Sequence, residues 1–175
     1  MASFSERMLR SALLDAETYE EVEADTEAGR QAFVVVLLSG VAVGVGGIAN
    51  SGVEGIAWQA AVAVAGWWIW AYATFVIGTR LLPTDETEAD PGQLRRTIGF
   101  SAAPGILRFA MVFPFLAFPA FVVGTLWELV AMVVAVRQAL DYDSTGRALA
   151  VCVIGFPLYA IPLLVSVLFL GPWPV

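Results

Sequence analysis

Lysine and histidine are both missing from this 175-residue chain, and cysteine occurs once. Without histidine, no side chain titrates near neutrality at its ordinary pKa, and Ser-His or Cys-His nucleophile pairs lose their base. Without lysine, no glycine loop can be completed in the manner of a P-loop. Cys152 stands alone inside an apolar stretch, so an intrachain disulfide is excluded and cysteine is silent about redox compartment. No Ser or Cys sits beside a plausible base, and no His, Cys, Asp or Glu spacing suits a metal. The expectation is a chain that is not an enzyme, with no catalytic residue, no cofactor and no metal.

Charge is scarce too, at 14% of residues against 59% hydrophobic. With a mean hydropathy of +0.78, the chain is too apolar for an ordinary soluble domain, and lipid is its natural solvent. No signal peptide is visible, because Met1-Ala2-Ser3-Phe4-Ser5-Glu6-Arg7 runs into an acidic arm before any long apolar run begins. Five spans of about 20 residues would take up roughly 100 residues. What remains suffices for an arm and short loops, not for a second domain.

The charges that are present are lopsided, with sixteen acids facing nine bases, all arginine. Such a balance excludes nucleic acid as a partner. An acidic, lysine-free surface suits concentrated salt, where charges are screened within about 3 Å at 1 M, and points to a halophilic archaeal source. A GC-rich genome would explain the missing lysine but not the excess of acid.

Apolar runs and their punctuation predict an all-α, polytopic membrane protein: a five-helix transmembrane bundle with spans at about 32–49, 56–82, 98–115, 119–140 and 148–171, after an arm at 1–31. Asn50-Ser51-Gly52 closes the first span, and Pro114 and Pro119 bracket a tight turn within the 39-residue apolar stretch 98–136. Pro157 and Pro162 bend the last span, and Pro172-Trp173-Pro174-Val175 follows it. In this arrangement Arg7, Arg10, Arg30, Arg80, Arg95, Arg96, Arg137 and Arg147 all fall on one side and none on the other. The rule that basic residues mark the inner face then puts the N-terminus in the cytoplasm and the C-terminus outside, across the cell membrane.

Within the arm, Phe4, Met8 and Leu13 share one side at helical spacing, which predicts a short amphipathic cytoplasmic helix. Two settings fit it: the headgroup interface, with Arg7 and Arg10 facing lipid, or the protein's own cytoplasmic face. Gly40, Gly44 and Gly47 form a stripe of small residues that lets another helix approach, either within the chain or in a homo-oligomer. Asp141 and Asp143 in the turn after Arg137 and Gln138 could meet a cation, or pair with Arg137 and Arg147.

One base and one acid fall inside the apolar spans, Arg108 in the third and Glu128 in the fourth. Either alone is costly in hydrocarbon. At about 1.5 Å per residue, each lies roughly 15 Å from the inner end of its own span, so antiparallel neighbours bring them to one depth. An intramembrane ion pair is expected, serving either to fix the register of two helices or as a polar site for a lipid headgroup, ion or solute.

The segment Trp127-Glu128 through Arg137-Gln138-Ala139-Leu140-Asp141 to Thr145-Gly146-Arg147-Ala148-Leu149, with the arm Leu14-Asp15-Ala16-Glu17-Thr18-Tyr19, resembles the Yip family of prokaryotic membrane proteins. That resemblance implies a five-span domain and a non-enzymatic scaffold or adaptor, contacting membrane lipids and a cytoplasmic protein. Eukaryotic relatives bind Rab-type GTPases in vesicle traffic, and this chain has no Asp-Leu-Tyr-Gly-Pro-like motif. A small transporter or channel component using Arg108 and Glu128 is the alternative.

Overall fold

The computed structural model describes residues 2–85 and 87–170. Seven α-helices run in chain order as α1 (Phe4–Ala12), α2 (Ala16–Ala24), α3 (Ala28–Gly46), α4 (Ile48–Val76), α5 (Pro91–Ser101), α6 (Pro114–Ala139) and α7 (Thr145–Leu170). A π-helical turn, Ile77–Leu81, extends α4, and a 3₁₀ helix, Ala103–Val112, follows α5. No strand occurs among the described residues. Among the described residues, three stretches are long and apolar enough to cross a membrane: Ala28–Gly46, Ile48–Leu81 and Pro114–Ala139. The tail at 172–175, expected beyond the last span, lies outside the described residues.

Local chemistry sets the helix ends. Ser3 accepts from the Glu6 amide while the Glu6 side chain reaches back to Ser3, a reciprocal cap on α1. Asp15 caps α2 by accepting from the Glu17 amide. Asp90 and Gln93 form a second reciprocal cap with Pro91 at the first position of α5. A proline needs no amide donor there, so Pro91-Gly92 starts a helix in the stretch between the second and third expected spans.

The third expected span, 98–115, is not one continuous α-helix. α5 stops at Ser101, because Pro104 lacks the amide that would bond back to Phe100, and the chain goes on as a 3₁₀ helix to Val112. The turn before α6 falls at Phe113, which is extended (ψ 116°), and not between Phe115 and Pro119. Pro114 opens α6, and Pro119 sits early in that helix, leaving only the Phe115 carbonyl without its usual donor. The first turn also comes earlier than expected. Gly47 separates α3 from α4, and Gly52, at φ +63°, supplies a left-handed residue that kinks α4 where the end of a loop was expected.

Two kinds of packing divide the molecule. Tyr19, Val22, Leu94, Ile98, Phe100 and Leu140 are fully buried where α2, α5 and the C-terminal end of α6 meet. At the other end Phe113, Phe115 and Phe118 are more than half exposed, as are Val153 and Leu168 on α7. So large an apolar surface would not stay in water on a soluble monomer. Lipid covers it.

The close approach of α3 and α4 depends on absent side chains. A Cβ at Gly40 would stand 2.7 Å from the Ala63 Cβ, and one at Gly44 would stand 2.5 Å from the Ile56 Cα. The stripe is therefore occupied by α4 within the chain, which takes the Gly40–Gly44 face away from a second copy. Gly47 is the joint between the helices. Gly46 supplies a further close approach, with the Met111 Cβ 2.6 Å from its would-be Cβ.

Candidate functional site

The two intramembrane charges come together from separate elements. Arg108 projects from the 3₁₀ helix and its guanidinium hydrogen-bonds the Glu128 carboxylate on α6. The same guanidinium donates to the Ser39 hydroxyl on α3 at 3.0 Å, and its Nε donates to the Gly105 carbonyl at 3.1 Å. Gly124 leaves room for the arginine stem, since a Cβ there would meet Arg108 Cγ at 2.9 Å. The side chains retain 13% and 16% exposure, so the pair is largely withdrawn from its surroundings. Side chains from two other helices and one carbonyl of its own helix thus converge on one guanidinium, which neutralises the acid and ties α3, the 3₁₀ helix and α6 together.

A second polar assembly lies at the end where the arm packs. Arg7, which would face lipid headgroups in one of the two settings that fit the arm helix, is 2% exposed. It bonds Glu21 at 2.8 Å, Asp25 at 2.7 Å and Gln31 at 3.2 Å. Its hydrogen bonds hold the Glu21 and Asp25 carboxyls below their usual range. α1 therefore lies on the protein's own surface, with Phe4, Met8 and Ala12 against the core and Leu13 turned outward. Arg10 pairs with Asp15 at 2.6 Å.

From α5, Arg96 donates to the Val22 and Glu23 carbonyls, satisfying the C-terminal end of α2. Glu23 itself is pushed up to about 7. Burial is the main cause, followed by Asp141, with Glu20 and Asp90 adding to it and Arg96 opposing it. The Gln138 amide donates to Glu20 at 2.8 Å, joining the C-terminal end of α6 to α2.

The turn after α6 is built on backbone carbonyls and not on ion pairs. Arg137 donates to the Tyr142 carbonyl at 3.1 Å, and Arg147 donates to the Pro83 carbonyl at 3.1 Å. Asp141 adopts φ +51°, and Asp143 is exposed. The Tyr142 hydroxyl donates to the Leu82 carbonyl at 2.7 Å, anchoring this turn to the end of α4. Among the described residues no three His, Cys, Asp or Glu side chains converge as metal ligands.

Other anchors gave little sign in the sequence. The Trp67 indole donates to the Arg95 carbonyl at 2.9 Å, and the Arg95 guanidinium lies 4.4 Å over the Trp68 ring. Trp67 and Trp68 on α4 thus reach α5 through Arg95. The Trp127 indole donates to the Ala12 carbonyl at 2.8 Å. Its signal was faint: an aromatic with one polar handle beside an intramembrane acid, and nothing to point at its acceptor.

Helices dressed in exposed apolar side chains, closed at one end by an arm, a loop and a turn that bond one another, define a multi-pass helical membrane protein. The chain belongs to the Yip1 domain family, whose model matches residues 12–168. That family is membrane-associated and linked to trafficking. Comparisons with the curated proteins and with the solved structures found no match.

Proposed function

We propose that this protein is a non-enzymatic scaffold or adaptor in the cell membrane of a salt-adapted archaeon, and that its polar end recruits a cytoplasmic protein. Five crossings, made by α3, α4, α5 with the 3₁₀ helix, α6 and α7, put both the N-terminus and the 83–90 segment in the cytoplasm. The C-terminus then lies outside. The arginine asymmetry supports this orientation, and the excess of acid without lysine supports the setting.

One observation carries the reading: three segments distant in sequence build one polar surface. Arg96 bonds the end of α2, Gln138 bonds Glu20, and Arg147 bonds the Pro83 carbonyl. A surface assembled at that cost in ordering, and rich in acids that face outward, suits recognition of a soluble partner. Transport through Arg108 and Glu128 is the weaker reading, because the two charges neutralise each other and Ser39 and Gly105 take further donors of the same guanidinium.

Crosslinking and co-purification from native membranes test the proposal. A stoichiometric soluble partner is the expected result. Recovery of no partner, together with solute flux in liposomes, would overturn it.

A further inference from the structure

Two leucines of the arm have no protein over them. Leu9, and Leu13 at the C-cap of α1, are 61% and 64% exposed and, four residues apart, share a side that flanks the one carrying Phe4, Met8 and Ala12 to the core. The arm is not free to turn them inward. Arg7 is fastened to α2 and α3, Tyr19 donates from α2 to the Ser11 carbonyl at 2.9 Å, and Trp127 holds the Ala12 carbonyl.

The bond to Trp127 fixes where this face lies. Gln138 meets Glu20 near the inner end of α6, whereas Trp127 meets Ala12 eleven residues earlier in that helix. At about 1.5 Å per residue the arm therefore reaches roughly 16 Å along α6 from its inner end. Leu126 and Val130, within three residues of Trp127 on α6, are 59% and 51% exposed. The leucines continue a surface that lipid already covers.

We propose that the tip of the arm, Leu9 and Leu13 with the Trp127 ring edge, is seated in the inner leaflet, its partner being the acyl-chain boundary of the membrane. Arg10, paired to Asp15, and Glu17, 88% exposed, mark the polar side of the arm. Two leucines and a ring edge fall far short of the roughly 1,000 Å² that a stable protein interface buries, so a second copy is not the occupant. The proposal rests on the cytoplasmic placement of the arm, and gives the scaffold a wedge that displaces lipid from one leaflet only.

Spin labels on the full chain in phosphatidylcholine and phosphatidylglycerol liposomes test it. Cys152→Ala supplies a cysteine-free background, to which Leu9→Cys, Leu13→Cys or Glu17→Cys is added, with circular dichroism and a melting curve as checks on folding. Labels at 9 and 13 are expected to relax more with oxygen than with a water-soluble nickel chelate, and the label at 17 to show the inverse. Nickel access at 13 equal to that at 17 would overturn the wedge, and so would labels at 9 and 13 closed to both reagents, which would indicate protein contact. An impermeant maleimide applied to intact cells keeps the two readings apart. Modification of Glu17→Cys from outside defeats the topology, whereas a protected Glu17→Cys with a wet Leu13→Cys defeats the wedge alone.

Discussion

Replacing Glu128 by glutamine should strand Arg108 inside the bundle. The amide is nearly the same shape and its oxygen can still accept, so packing is kept and only the negative charge is lost. Ser39 and Gly105 continue to take two of the arginine's donors. Breaking a buried pair from one side costs about 3–5 kcal/mol. With 13% and 16% of the two side chains still exposed and the other acceptors retained, the lower end applies, about 3 kcal/mol. For a domain of this size that corresponds to a fall in Tm of roughly 6–12 °C, read from tryptophan fluorescence during heating in detergent. The double variant Arg108→Leu, Glu128→Leu buries no charge and should recover most of the loss, leaving about 1 kcal/mol for imperfect repacking. Glu128→Gln melting together with the parent, or a double variant losing the sum of the two single losses, would refute the argument that each charge exists to neutralise the other.

Gly44→Val should lower stability by about 1–3 kcal/mol, because the atom it meets is backbone at Ile56 and the helices must part; a melting curve checks it. Glu23 holds its proton to about pH 7 in the fold, against an ordinary 4.5. The folded state therefore binds more protons in between, and stability should fall as pH rises from 4.5 to 7. The loss is about 1–2 kcal/mol after solvent screening, and Glu23→Gln should remove that slope from melts across this range. Glu21 and Asp25 act in the opposite sense: held low by Arg7, they contribute stability above their ordinary 4.5 and 3.8 that is lost as pH falls below. Trp127→Phe keeps the ring and removes one donor, worth about 1 kcal/mol. Amide exchange over residues 9–14 should then quicken about fivefold, with α6 unchanged. Tyr19→Ala should cost about 3–5 kcal/mol in the buried seam and abolish capture of a cytoplasmic partner, while the protein still inserts in the membrane. Retained capture would place the contact surface elsewhere.

Membrane residence was legible because long apolar runs leave lipid as the only solvent, and the family because the stretch from Arg137 to Leu149 is distinctive. Helix ends were less so. Pro91 reads as a breaker until Asp90 and Gln93 are seen to cap a helix that needs no amide at that position. Pro114 and Pro119 look alike in sequence, yet one opens α6 and the other lies within it, since a membrane helix tolerates one freed carbonyl near its start. Charge depth could be counted from helical rise, which is why Arg108 and Glu128 could be named as a pair. Ser39 could not be added, because nothing in the spacing of α3 reveals which face meets the 3₁₀ helix. The setting of Arg7 stayed open for a physical reason: periodicity places a side chain on a face but does not say whether water, lipid or two carboxylates lie beyond it.

The stretch that matches the family begins at residue 12, the residue whose carbonyl receives the Trp127 indole. α2 is thus part of the shared domain and packs as such, with Tyr19 and Val22 as completely buried as Leu94. A polar end built in this way differs from a disordered tail carrying the same acids. Its carbonyls, carboxylates and guanidinium groups are already held by Arg7, Arg96 and Gln138, so a partner would meet a surface whose ordering is complete before contact. Association then bears little of the conformational entropy that folding on binding would cost, roughly 0.5–1.5 kcal/mol for each side chain otherwise immobilised. The seam of Tyr19, Leu94 and Leu140, rather than any single exposed acid, is what would make such recognition specific, because it fixes the distances between acids contributed by α2, the 83–90 segment and the 141–144 turn.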